Sequence, residues 1–191
     1  MININKIENR TIVYLISIYI ILRFFFYFYF GIKADPNVIK PGWHVLDLNF
    51  LNHDLFNSII HLHSQPPLWN TIIGIFTKFV DGNRFDTSIL LNIFNYFLSI
   101  GIIVYAFKVL RLLNFTNRFI FFILIFFVVL NPNIIFFENI TLYNHVLCFL
   151  FTHLFWLIFI YFKTKRIKYE LLIYLNILTQ SLIWAGIHPI L

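Results

Sequence analysis

Six apolar runs, at about residues 11–32, 67–80, 87–107, 119–137, 141–162 and 169–187, take up most of this 191-residue chain. Their lengths decide the fold class. A transmembrane helix needs about 20 apolar residues, within a range of roughly 17–25, because the hydrocarbon core is about 30 Å thick and a helix rises about 1.5 Å per residue. Five of the runs meet that length, and 67–80 falls short of it. Charged residues make up 12% of the chain and hydrophobic ones 60%, and the mean hydropathy is +0.83. A soluble domain is about a quarter charged, so there is too little polar surface here to coat a water-soluble particle. The expected fold is all-α: a polytopic transmembrane helix bundle of about five spans, with 67–80 as a short re-entrant or juxtamembrane helix. The first run is too long for the apolar part of a signal peptide and lacks a small-residue cleavage site, so it reads as an anchor that stays. Residues 1–191 read as a single membrane domain without repeats.

The formal net charge is +6, but the positive residues lie in short blocks beside apolar runs. Membrane topology explains that placement, and nucleic acid is not implied as a partner. The 108–118 link carries Lys108, Arg111 and Arg118 without an acid, and "KTKRIK" at 163–168 adds four more bases. Between residues 31 and 86, by contrast, acids outnumber bases by one. If all six runs crossed the bilayer, with the N-terminus inside, both basic links would fall outside. If 67–80 does not cross, the N-terminus, 108–118 and 163–168 are all cytoplasmic, and 31–86, 131–140 and the C-terminal "IHP" share the other face. The second topology is the expected one. Cys148 is the only cysteine, so no disulfide framework exists.

Residues 33–66 form the expected outer loop. Leu48, Leu51, Leu55, Ile59 and Leu62 recur at steps of three and four, with Asn49, Asn52, His53, Asn57 and His61 mostly between them. That pattern predicts one amphipathic surface helix, too polar to span. In "HLHSQPPLWN", Ser64 reads as the N-cap of the next helix, with Pro66 and Pro67 in its first turn. The orphan N–H groups of such a helix start favour a phosphate.

Several polar residues invite functional readings, each beside a plainer one. Asp35 in "KADPNV" is placed to act as a general base, although Asp-Pro also simply makes a turn. His44, His53, His61 and His63, with Asp47 and Asp54, form a loose set that leaves a divalent cation possible, though the spacing matches no metal motif and interfacial histidines are the plainer reading. Arg23 lies inside the first run, where it either faces a polar interior or snorkels to the surface. Glu138, in "NPNIIFFENITLYNH", is the only acid between residues 87 and 169. It is functional if buried and ordinary if it lies at the interface. Tyr143, Asn144 and His145 add hydrogen-bonding groups beside it, and His188 is either a site residue or a loop end. Trp43, Trp69, Trp156 and Trp184 need no role beyond interfacial anchoring.

The order of parts (an anchor, an outer loop with an early Asp, a surface helix, a Pro-Pro-Leu start to a short helix, a junction with a lone acid) resembles the N-terminal portion of the GT-C superfamily of membrane glycosyltransferases. That superfamily includes the protein O-mannosyltransferases and the aminoarabinose lipid A transferases. The stretch "GWHVLDLNFLNHDLFNSIIHLHSQPPLWNTIIGI" is similar to one in a set of bacterial membrane proteins bearing an "LHSQPPLFN" motif. The resemblance implies a chain that is an N-terminal fragment of a larger module in the bacterial cytoplasmic membrane, transferring a sugar from a polyprenyl-phosphate donor to an acceptor on the outer face. It implies Asp35 and Glu138 as catalytic residues. Arg23, His61, His63, Gln65, Pro66, Tyr143 and His188 become the substrate-binding set. Ala34 and Pro36 stand where relatives have a second acid, and the arginine that relatives carry before the final His-Pro is missing. The alternative is a non-catalytic polytopic protein that binds a lipid carrier or assists transport or assembly.

Overall fold

The computed structural model of the protein describes residues 4–36, 45–60, 67–140 and 142–184. Among these the structure is helical, with no strand. The helices are α1 (Ile4–Tyr29), α2 (Leu48–His53), α3 (Leu55–Ile60), α4 (Pro67–Phe79), α5 (Arg84–Leu112), α6 (Asn117–Leu124), α7 (Pro132–Asn139), α8 (Asn144–Thr164) and α9 (Ile167–Ile183). A π-helical turn, Ile125–Val129, continues α6.

Three helices are long and apolar enough to cross a membrane: Arg10–Tyr29, Arg84–Leu112 and Asn144–Thr164. A fourth crossing exists if Asn117–Val129 and Pro132–Asn139, bent by 48°, count as one span. Among the described residues three to four candidate crossings stand against the expected five, for two local reasons. The 119–137 run is broken at Asn131, where the following proline holds the backbone extended (ψ 119) and the Asn131 side chain caps the new helix by accepting from Asn133 N at 2.9 Å. The described helix in the 169–187 run has 17 residues, with Lys168 and Glu170 in its first turn. That is the lower edge of what spans a bilayer.

The short run is a helix of 13 residues, about 20 Å long at 1.5 Å per residue, which is short of the length of a span. It starts at Pro67, where a missing N–H costs nothing. Ser64, His61, His63, Gln65, Pro66 and His188 lie outside the described residues. The expected single amphipathic helix is instead two. Asp54 breaks it with an extended conformation (φ −141, ψ 75) and then caps α3, accepting from Asn57 N at 3.3 Å and Asn57 Nδ2 at 2.6 Å. Asp and Asn favour such caps over helix interiors because their side chains compete for the backbone.

Asn70, buried on α4, accepts the amide of Leu46 at 2.8 Å and so ties the outer segment to the bundle. Leu48, Leu51, Trp69, Ile73, Leu91 and Val146 then form an outer core. Trp69 is fully buried there, so it is a core residue and not an interfacial anchor. A second core joins Leu15 and Tyr19 of α1 to Ile103, Phe107, Ile120 and Leu124. The N-terminal half of α1 therefore lies beside the end of α5 and the start of α6. At the same end, Lys108 of α5 lies 5.0 Å from the ring of Trp156 of α8, which in turn meets Tyr169 of α9 edge-on. The basic links 108–118 and 163–168 thus share one end of the bundle with the start of α1. The acidic outer segment is tied through Asn70 to α4, which leads into the start of α5 at the other end.

Candidate functional site

Between the two cores, α5 presents a polar stripe. Ser88, Asn92, Asn95 and Ser99 follow one another at steps of four, three and four, and all are buried. That spacing puts them on one face of a helix. The face is turned toward the junction of α7 and α8, where Glu138 is completely buried.

The side chain of Glu138 is held from two helices, α1 and α5. Arg23 of α1 grips it with two donors, Nε to Oε2 and Nη2 to Oε1, the latter at 3.0 Å. Tyr19, one turn earlier on α1, donates its hydroxyl to Oε1 at 3.0 Å. Ser99 of α5 donates to the same oxygen. The backbone carbonyl of Glu138 accepts from Asn92 Nδ2 at 2.8 Å and Asn95 Nδ2 at 3.2 Å. In hydrocarbon an unpaired carboxylate is prohibitive, and two N–H donors from one guanidinium with two hydroxyls are what make its burial tolerable. Arg23 is 5% exposed, so its inward role is settled against snorkelling. Its Nη1 also donates to the carbonyl of Val129 at 2.8 Å. That carbonyl belongs to the last residue of the π turn, and the amide of Asn133, four residues on, donates to the Asn131 side chain instead. An orphan carbonyl at a helix end thereby gains a charged donor.

His145, in the first turn of α8, extends the network. Its Nε2 lies 2.8 Å from Ser99 Oγ. The serine has one proton and gives it to Glu138, so Nε2 is the donor to Ser99 and the imidazole carries its proton there. Nδ1 of His145 then has no partner, and neither does Oδ1 of Asn95.

A groove of about 420 Å³ opens beside this network, between α1 and α5. Its walls are apolar and aromatic, including Phe24, Phe28, Ile93 and Phe97, and its polar edge is formed by Arg23, Asn92, Tyr19 and Tyr96. Five N–H protons belong to a guanidinium. Three of those on Arg23 are engaged by Glu138 and Val129, and Arg23 lines the groove as well.

The structure therefore brings Arg23 and Glu138 together across 115 residues of sequence. Asp35 stands apart from this buried cluster, exposed on the stretch that follows α1. Tyr143 is buried in the outer core. Among the described residues no three His, Cys, Asp or Glu side chains gather in a way that would hold a metal ion, and His44, His61 and His63 of the loose histidine set lie outside them. The sequence reading passed over Tyr19 and the α5 stripe. The available signal was the repeat of Ser and Asn at helical spacing within an apolar run. Comparison with known protein families, curated proteins and solved structures finds no match to this chain.

Proposed function

We propose that the chain serves a GT-C-type glycosyltransferase reaction at the outer face of the bacterial cytoplasmic membrane, with its basic end in the cytoplasm. The groove between α1 and α5 is the observation that carries this reading. It pairs walls suited to an isoprenoid chain with a cation and an amide at one edge. The charge asymmetry supports the orientation, since the end that gathers the basic links belongs inside by the positive-inside rule.

In this reading the polyprenyl-phosphate-linked sugar lies in the groove. Asp35 takes the proton of the acceptor hydroxyl as that oxygen attacks the anomeric carbon, and the polyprenyl phosphate leaves. Glu138, with both oxygens occupied, is a positioning group that holds Arg23 at the groove wall.

One observation favours the second reading, a lipid-carrier-binding protein without catalysis: the buried carboxylate of Glu138 already accepts from Arg23, Tyr19 and Ser99 of the protein itself. The two readings part on a transfer assay in membranes with a radiolabelled polyprenyl-phosphate sugar and Asp35→Asn beside the wild type. Transfer abolished with binding intact supports Asp35 as base. Equal transfer by both removes it, and binding without transfer by either supports the second reading.

A further inference from the structure

The buried network contains a feature that neither reading uses: a continuous hydrogen-bond chain from Nδ1 of His145, which has no partner, through Nε2 and Ser99 Oγ to the Glu138 carboxylate. We propose that His145, Ser99 and Glu138 form a proton relay that releases Arg23 to the groove, so that the groove takes up a phosphodiester-bearing lipid together with one proton. The inference rests on the groove being the lipid-phosphate site.

The proton balance closes with one proton supplied by the surrounding water. A proton arrives at Nδ1 of His145. The Nε2 proton passes to Ser99 Oγ, and the Ser99 proton passes to Oε1 of Glu138. His145 ends neutral with its proton on Nδ1, Ser99 is restored, and Glu138 becomes a neutral acid. The ion pair with Arg23 is then gone, and the uncompensated guanidinium seeks a new anion. It already lines the groove, where it lies 4.5 Å from the centre of the Tyr19 ring. A phosphodiester entering there restores charge balance in the low-dielectric interior, where an unpaired charge is most costly. Binding of the anion and uptake of the proton are therefore linked, and each favours the other.

The groups facing Glu138 leave few other candidates. Tyr19 and Arg23 come from α1, Ser99, Asn92 and Asn95 from α5, and His145 reaches it from α8 through Ser99. The 125–129 turn contributes a carbonyl to Arg23. Tyr96 and Tyr27 line the groove with Arg23.

The test uses the whole chain in phosphatidylcholine nanodiscs and a fluorescent lysophosphatidylglycerol, whose single negative charge does not change over the range used. The same probe backbone without phosphate, a monoacylglycerol, is the neutral control. The wild type should bind the anionic probe about tenfold more tightly at about pH 5.5 than at about pH 7.5, with the monoacylglycerol indifferent to pH. Glu138→Gln, a near-isosteric and permanently neutral side chain, should bind tightly at both values. Ser99→Ala and His145→Gln should still reach a pH-dependent affinity, but more slowly than wild type after a pH jump, because a relay governs rate and not equilibrium. Wild-type pH dependence retained in Glu138→Gln overturns the proposal, as does an unslowed pH-jump response in both relay variants. Wild-type binding that is equal at both pH values also overturns it while leaving the donor groove standing. No binding by the wild type at either pH removes both.

Discussion

Glu138 and Asp54 both sit at the broken ends of short helices, and the chain treats them in opposite ways. Glu138 is sealed between two cores and bound by groups from α1 and α5, none of them close in sequence. Asp54 is exposed and bound by Asn57, three residues away. The buried site is built by tertiary structure, and the surface segment by local capping that the nearest residues dictate. The contrast implies that damage at the first site spreads through the bundle, whereas damage at the second stays where it is made.

The largest effect is expected at the ion pair. Glu138→Ala leaves Arg23 charged and unpaired, and removing one partner of a buried pair costs about 3–5 kcal/mol. Chemical unfolding in detergent should show the loss. The double change Glu138→Leu with Arg23→Leu should cost less than the sum of the singles. A strictly additive result would mean that the two side chains do not depend on each other. Next comes the close approach of α5 and α8, where a Cβ built at Gly101 would run into the ring of Phe149. Gly101→Leu should destabilise by about 1–3 kcal/mol through forced repacking. An unchanged unfolding midpoint would show that the two helices separate freely there.

A smaller and local effect is expected at Asn70. Asn70→Leu removes the acceptor for the Leu46 amide, at a cost of about 1–3 kcal/mol for an unsatisfied partly buried group. Hydrogen exchange should quicken over residues 45–53 and stay constant over 95–103. The smallest is at Asp54, whose carboxyl is held below its usual range by the Asn57 side-chain donor and then by the Asn57 amide. Its capping contribution is complete above the unfolded carboxylate range and fades as pH falls through the lower folded value. Exchange of the Asn57 amide should therefore quicken below about pH 4 with no change around Ser99. Simultaneous quickening at both places would erase the distinction between the two regions.

The all-helical character and the shortness of the 67–80 helix were legible because run length is a one-dimensional property. So was the common end of the basic links, because charge placement follows topology. Asn131 and Asp54 defeated the reading of continuous helices. Both are short polar side chains whose capping competes with an apolar periodicity that runs straight through them. Arg23 and Glu138 stood out singly as ionisable residues in apolar surroundings, but their pairing depends on how α1 and α7 pack, which nothing in either segment specifies. Tyr19 and Ser99 look like ordinary membrane residues until that pairing is seen.

The separation of Arg23 from Glu138 has a consequence for how the protein is made. The two are 115 residues apart, and synthesis proceeds at about 5–20 residues per second, so Arg23 is in the membrane for roughly 6–23 s before its partner exists. During that interval the first helix carries a bare cation, which is best relieved by sliding toward the lipid headgroups. The arrival of the carboxylate ends that interval, so the last step that makes the first helix tolerable in the bilayer waits on a residue far along the chain.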